Sequence, residues 1–436
     1  MIDRRTFVAA SAALAATPTL AGKAKSPSNS SFPQGFLWGA ATAGHQIEGN
    51  NTNSDSWVLE NVKPSIYKEP SADADNSFEM WPTDLDLVKA MGLNTYRFSL
   101  EWARIEPEEG QFSIAMLDHY KRMIEGCRAR GITPMVTFNH YTAPRWFAAL
   151  NGWVNPKAPN YFARYCDKAA RHLAAGIGYA TTLNEPNIMN ILKVVLPPQV
   201  IGAQRAMLEA AARAVGSAKF SAGNAIDFDD VPAATMNLVA GHKAGRAAIK
   251  AVRSDLPVGL SLSMFDDAAV GPRSIRDAMR AHFYEPWFEA VKGDDFFGVQ
   301  NYERYVWDDK GKLPPPVGAP VNAFGNEVYP PSLANAVRFA HEATGCPIIV
   351  TENGVATDDD RFRAGYIPQV LRHLKAAIDD GVPVKGYCHW SLIDNFEWVF
   401  GYNVHYGLHS VDKTTFARAP KPSAGIYGKI AQANAL

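Results

Sequence analysis

The sequence is poor in most features that would assign a chemistry at once. Among 436 residues there are only 4 cysteines, Cys127, Cys166, Cys346 and Cys388. Each stands alone, with no CxxC pair and no His-Cys spacing, so free buried thiols fit better than a disulfide framework. A Cys127–Cys166 bridge between neighbouring helices is the one pairing left open. There is no HExxH, no phosphate-binding loop and no strand-linked GxGxxG, so no metal, nucleotide or other cofactor is indicated. Neither charge sign dominates: the formal net charge is -1. That balance leaves no basic footprint and argues against a nucleic-acid partner. Internal repeats and a linker that would divide the body are also missing, and nothing sets an oligomeric state. No apolar run is long enough for a spanning helix, so the mature chain has no membrane span.

What is present begins at the N-terminus. Arg4-Arg5-Thr6-Phe7, followed by an uncharged run to Gly22, has the form of a twin-arginine signal peptide with cleavage candidates at Ala21 or Ala24. Residues 1–24 are therefore expected to be a leader, residues 25–31 a linker, and residues 32–436 the folded body. Export in the folded state, to a bacterial periplasm, is the expectation, and it suits unpaired thiols. With 47% hydrophobic and 20% charged residues the body has material for one large core. Its 10 Trp and 22 Phe serve a core or a sugar platform equally well.

Strand-like stretches recur at Leu37–Ala41, Leu93–Ser99, Ile132–Phe138, Tyr179–Leu183, Val258–Ser263, Phe296–Gln300, Ile348–Thr351 and Val384–Trp390. Helix-like stretches alternate with them: Pro82–Met91, Ile114–Arg130, Pro159–Ala174, Ala233–Ser254, Ile275–Lys292, Ser332–His341 and Ile367–Asp379. That alternation predicts an α/β fold, a single (β/α)8 TIM barrel with extended βα loops. The longest loops are expected at 187–232 and 301–331. Asp358-Asp359-Asp360 reads as an acidic helix start facing water rather than a metal site. Ile188–Ile201 is unusually apolar for a loop, either a lid packed on the rim or a wall for an aglycone.

Two of these strands end in the same chemistry. Ile348-Ile349-Val350-Thr351 runs into Glu352-Asn353-Gly354, and Tyr179–Leu183 runs into Asn184-Glu185-Pro186. A parallel barrel carries its reactions at the carboxyl ends of its strands. A lone glutamate there could be a solvated loop residue. Two on separate strand ends supply what glycoside hydrolysis requires, one acid for the leaving oxygen and one carboxylate to attack or to activate water.

From Phe36 to about Asp412 the chain resembles glycoside hydrolase family 1, the β-glucosidase family. The resemblance rests on Phe36-Leu37-Trp38-Gly39-Ala40-Ala41-Thr42-Ala43 with Gln46-Ile47-Glu48-Gly49, on Tyr96-Arg97-Phe98-Ser99, on Thr182-Leu183-Asn184-Glu185-Pro186, on Thr351-Glu352-Asn353-Gly354, and on Trp390-Ser391-Leu392-Ile393-Asp394-Asn395-Phe396-Glu397-Trp398. It implies a retaining, exo-acting β-glycosidase, foremost a β-glucosidase, working by double displacement on a small-molecule β-glycoside. Glu352 would be the nucleophile and Glu185 the general acid/base, with Arg97 keeping Glu352 ionised and Tyr302 hydrogen-bonding it. Gln46, His140, Asn184, Glu397 and Trp398 would hold the sugar hydroxyls, and Trp390 would lie under the ring.

Departures from the family pattern cluster around the sugar. Tyr141 stands where Trp is usual, so a phenol of different reach replaces an indole N–H. Gln300 takes an Asn position expected near the acid/base side, Tyr406 a position more often Phe or Trp, and Asn187 an apolar or aromatic position expected to bear on the aglycone. These leave the reaction type in place and open the glycone, including a transglycosylase or a shifted sugar choice. Glu397 argues against 6-phosphorylated sugars, which a carboxylate would repel, and Glu185 against the plant thioglucosidases, which carry Gln there. A non-catalytic sugar-binding barrel would be expected to have lost one of the two carboxylates.

Overall fold

Period-two alternation within each strand sorts the side chains to two sides, and that sorting builds the molecule. In the computed structural model, which describes residues 30–436, eight parallel strands close into one barrel. They are β1 (Leu37–Ala41), β2 (Thr95–Ser99), β3 (Thr133–Asn139), β4 (Tyr179–Asn184), β5 (Val258–Ser263), β6 (Phe296–Gln300), β7 (Ile348–Asn353) and β8 (Val384–Trp390). Each pairs with its sequence neighbours, and β1 closes on β8 through Leu37–Gly386 and Ala41–Trp390. The leader expected over residues 1–24 lies outside the described residues.

Tyr96, Phe98, Val136, Phe138, Leu260, Leu262, Ile348 and Val350 belong to the large core outside the barrel wall. Leu37, Met135, Phe296, Ile349 and Cys388 form a smaller cluster with Trp390 and Tyr406. Arg97 follows Tyr96 by one position and is fully buried. A guanidinium in such a place persists only where anions and acceptors meet it.

The outer helices are α1 (Ser77–Ala90), α2 (Ile114–Ala129), α3 (Ala158–Leu173), α4 (Val231–Val252), α5 (Arg276–Ala290), α6 (Ser332–Thr344), α7 (Asp360–Asp379) and α8 (Pro422–Ala433). Two begin more than a turn earlier than the sequence predicts. Pro82 and Pro368 sit inside α1 and α7 rather than in their first turns. Each removes only one backbone bond, which tertiary packing outweighs. The start of α7 explains most of the aspartate cluster: Asp359 accepts the Arg361 N–H as its cap. Asp360, expected in water, instead turns inward to Arg363 and to the Ser423 amide and hydroxyl of α8. All four cysteines are free and buried.

The segment after β4 is not a loop. Ile188–Val195 and Pro198–Val215 are helices, and Met189 and Ile191 are buried in the main core.

Candidate active site

Both strands that carry the glutamates break the alternation. Thr181 pairs with Gly259 but Asn184 pairs with Ser261, so β4 holds one residue more than its neighbour. Likewise Val299 pairs with Val350 but Gln300 with Glu352. An extra residue of this kind re-aims every side chain beyond it. On β7 it puts Glu352 in step with Gln300, and on β4 it puts Asn184 in step with Ser261. Glu185, the next residue, has φ 40, a left-handed conformation that a non-glycine residue holds at a cost the surrounding packing must meet.

The two glutamates line one cavity of about 820 Å³. Gln46, His140, Tyr141, Asn184, Tyr302, Trp390, Glu397, Trp398 and Tyr406 line it as well. Arg97 and Gln300 lie behind, each fully buried. Apart from Asn187, the residues singled out from the sequence are thus brought together.

Their hydrogen bonds have a clear order. Arg97 Nη1 donates to Glu352 Oε1 at 2.5 Å and the Tyr302 hydroxyl to Glu352 Oε2 at 2.6 Å. The other arm of Arg97 donates to Asn184 Oδ1 at 2.6 Å, which also accepts from Gln300 Nε2 at 2.8 Å. With its oxygen used twice, the Asn184 amide can only donate with Nδ2, which sits 3.2 Å from His140 Nε2. That contact makes His140 Nε2 an acceptor and puts the ring hydrogen on Nδ1. Burial, seconded by Arg97, pushes the His140 pKa well down and keeps the ring neutral. Gln300 therefore acts between Asn184 and Glu352, not on the acid/base side where it was expected.

The carboxyls are driven apart in acidity. Burial raises the Glu185 pKa to about 8, with the Glu352 charge adding to it. Burial also raises Glu352, but Arg97, Tyr302 and Gln300 all pull it back. Glu397 is pushed to about 8, again mainly by burial, and accepts from Trp390 Nε1 at 3.2 Å. Gln46 Nε2 is fixed on the Phe396 carbonyl at 2.8 Å and on Asn395, leaving its Oε1 without a partner among the described residues. Trp398 stacks on His45, with centroids 5.6 Å apart and planes 8° apart.

The departures resolve differently. The Tyr141 hydroxyl bonds Glu185 Oε2. Asn187, expected on the aglycone side, is fully buried and bridges to the backbone of Ser263, donating to its carbonyl at 2.8 Å and accepting from its N–H at 3.2 Å. It ties the end of β4 to the end of β5. Tyr406 packs edge-on against Tyr302 at 5.6 Å. Ser263, whose hydroxyl also lowers Glu185, was not singled out from the sequence. Its place as the last residue of the fifth strand was the available signal.

Away from the sugar-sized polar end, the cavity is mostly apolar, with Ser65, Gln199, Gln204 and Asn224 as its polar members. Ile188 and Leu192, one helical turn apart, line it together with Leu196, Val200, Val399 and Phe400.

A parallel barrel with buried, differently titrating carboxyls at its strand ends is the arrangement of a glycoside hydrolase. The glycosyl hydrolase family 1 model matches residues 28–232 and 308–436. The chain belongs to that family. It is 30% identical to a beta-glucosidase of Agrobacterium sp., covering 92% of this chain and 95% of the relative. It is 27% identical to a beta-galactosidase of Pyrococcus woesei, covering 93% and 98%. Among solved structures it superimposes on beta-glucosidase 1317 with a TM-score of 0.88 at 40% identity, covering 91% of this chain and 98% of that one. Against a beta-glucosidase from Thermotoga maritima in complex with deoxynojirimycin, the TM-score is 0.81 at 25% identity, with 94% and 100% covered.

Proposed function

We propose that this glycoside hydrolase is a retaining, exo-acting β-glycosidase that removes terminal β-D-glucosyl residues, preferentially from apolar aglycones. The observation that carries the reading is two buried carboxyls in one cavity with different hydrogen-bond partners. Glu352 is clamped by a guanidinium and a phenol, while Glu185 holds its proton to about 8. In the first step Glu185 gives its proton to the glycosidic oxygen as that bond to the anomeric carbon breaks. Glu352 bonds the same carbon from the opposite face. Once the Glu352 charge is spent in that bond, its upward push on Glu185 disappears, and Glu185 becomes the base that deprotonates the incoming water. Two inversions leave the sugar β.

The Asn184 Nδ2 donor is assigned to the sugar 2-hydroxyl, where bonds strengthen at the transition state. Gln46 Oε1, Glu397 and the His140 ring take the other hydroxyls, and Trp390 takes the ring face. Relatives named for glucose and for galactose both exist, so a panel of aryl glycosides differing only in the sugar tests the glycone. Proton NMR during hydrolysis tests the mechanism. The first sugar formed is expected to be the β anomer, and an α product would remove the covalent intermediate.

For the aglycone, the support is the apolar wall of Ile188, Leu192, Leu196, Val200 and Phe400. Burying one such side chain's worth of apolar surface contributes about 1.5–3 kcal/mol. kcat/KM on octyl and aryl glucosides is therefore expected to exceed that on cellobiose by about tenfold or more. Leu192→Asp should erase most of that preference while sparing cellobiose. Equal or better efficiency of the wild type on cellobiose would sink it.

We further propose export by the twin-arginine leader. Activity should appear in the periplasmic fraction and remain in the cytosol when Arg4 and Arg5 are both replaced by Lys.

A further inference from the structure

Tyr141 is held from several sides. Its backbone has φ 65, in the left-handed region. Its carbonyl packs so closely on Gly223 that a Cβ there would lie 1.9 Å from the oxygen. Asp55 ties the same turn together, accepting the N–H of Ala143 at 3.0 Å and of Gly223 at 2.9 Å. The phenol ring stands edge-on to Trp398, with centroids 5.3 Å apart, and to His140 at 5.2 Å. A buried tyrosine in so costly a conformation has little freedom to swing toward a sugar. Its one polar side-chain atom is spent on Glu185 Oε2.

We propose that Tyr141 is a positioning residue for the acid/base: its hydroxyl occupies Oε2 of Glu185, leaving Oε1 to carry the proton to the glycosidic oxygen. This rests on Glu185 being the acid/base. As the proton leaves Oε1 and the bond to the leaving group breaks, Tyr141 donates to the carboxylate that forms and keeps its own proton throughout. Its phenol is suited to that, because burial and then the Glu185 charge push its own pKa far up. A donor to the charged form strengthens the acid. Tyr141 thus works on the transition state of proton transfer, not on sugar affinity.

The test is Tyr141→Phe in the full chain, followed by pH profiles of kcat/KM across glucosides of graded leaving-group ability. Loss of a donor to the carboxylate should move the alkaline limb up by on the order of one pH unit. kcat/KM should fall about tenfold or more for alkyl glucosides and less than about threefold for 2,4-dinitrophenyl glucoside, which needs little protonation. An unmoved alkaline limb, with KM raised alike for every leaving group, would instead mean a sugar contact and overturn the proposal. If the variant does not fold, wild-type chain carrying 3-fluorotyrosine replaces it. The stronger phenol donor should then shift the alkaline limb down, and no shift would again overturn the proposal. Wild-type alkyl-glucoside rates in Glu185→Gln would reject the acid/base reading itself, a result separate from either of these.

Discussion

Replacing Glu352 by Gln is expected to lower kcat on aryl glucosides by on the order of 10⁴–10⁶ while the protein stays folded. The amide keeps the shape: its carbonyl oxygen can still accept from Arg97, and its NH2, in place of the oxygen that meets Tyr302, can donate to the Tyr302 hydroxyl, which turns from donor to acceptor. What it cannot do is form the glycosyl ester, so the loss falls on the chemical step and not on binding. Inhibitor affinity and thermal unfolding should change far less than turnover. Glu352→Ala opens the cavity floor to a small nucleophile. With added azide it should yield the α-glucosyl azide, because one displacement from the vacated side inverts the anomeric carbon once. A variant that kept wild-type turnover would end the assignment.

The second large effect is expected from Glu185→Gln, and its size should depend on the leaving group. Loss of a positioned acid costs roughly 10²–10⁴, and that range should appear with alkyl glucosides. With 2,4-dinitrophenyl glucoside the first step should survive, and the slow step should become release of the glycosyl-enzyme, which lacks its base. Azide should restore turnover in Glu185→Ala and give the β-glucosyl azide, the opposite anomer from the Glu352→Ala product. The pH profile gives a second reading. Wild-type kcat/KM should rise as Glu352 loses its proton and fall as Glu185 loses its own near 8. Glu397 titrates in the same window. Any alkaline limb that remains in Glu185→Gln therefore belongs to Glu397.

Much of this arrangement was legible in the residues. All eight barrel strands fall within a few residues of the predicted runs, because short β-branched stretches between amphipathic ones leave few alternatives. Proline misled at α1 and α7, where a residue that favours first turns is accommodated deeper in the helix. The helix α8 has no strand after it to frame it, and residues 188–215, within the loop that the sequence predicts over 187–232, form two helices separated at Pro197-Pro198. The site was harder to read for a physical reason. Simple alternation puts Thr351, not Glu352, in step with Ile349, and only a bulge reverses that. No hydrophobic pattern encodes an extra residue in one strand of a pair. Asn187, which the family pattern puts on the aglycone side, instead ties two strand ends together. Tyr141 was read by its identity, as a phenol in place of an indole. Its partner follows from a left-handed backbone that the sequence does not signal.

The central claim is that Glu352, held by Arg97 and Tyr302, forms a covalent bond to the sugar. It is tested most directly by incubating the enzyme with a 2-deoxy-2-fluoroglucoside bearing a good leaving group and mapping the adduct by peptide mass spectrometry. The account predicts one fluoroglucosyl group on the peptide containing Glu352, formed in step with loss of activity. Labelling of Glu185 or Glu397 instead, or turnover through an α-anomeric first product with no adduct, would contradict it.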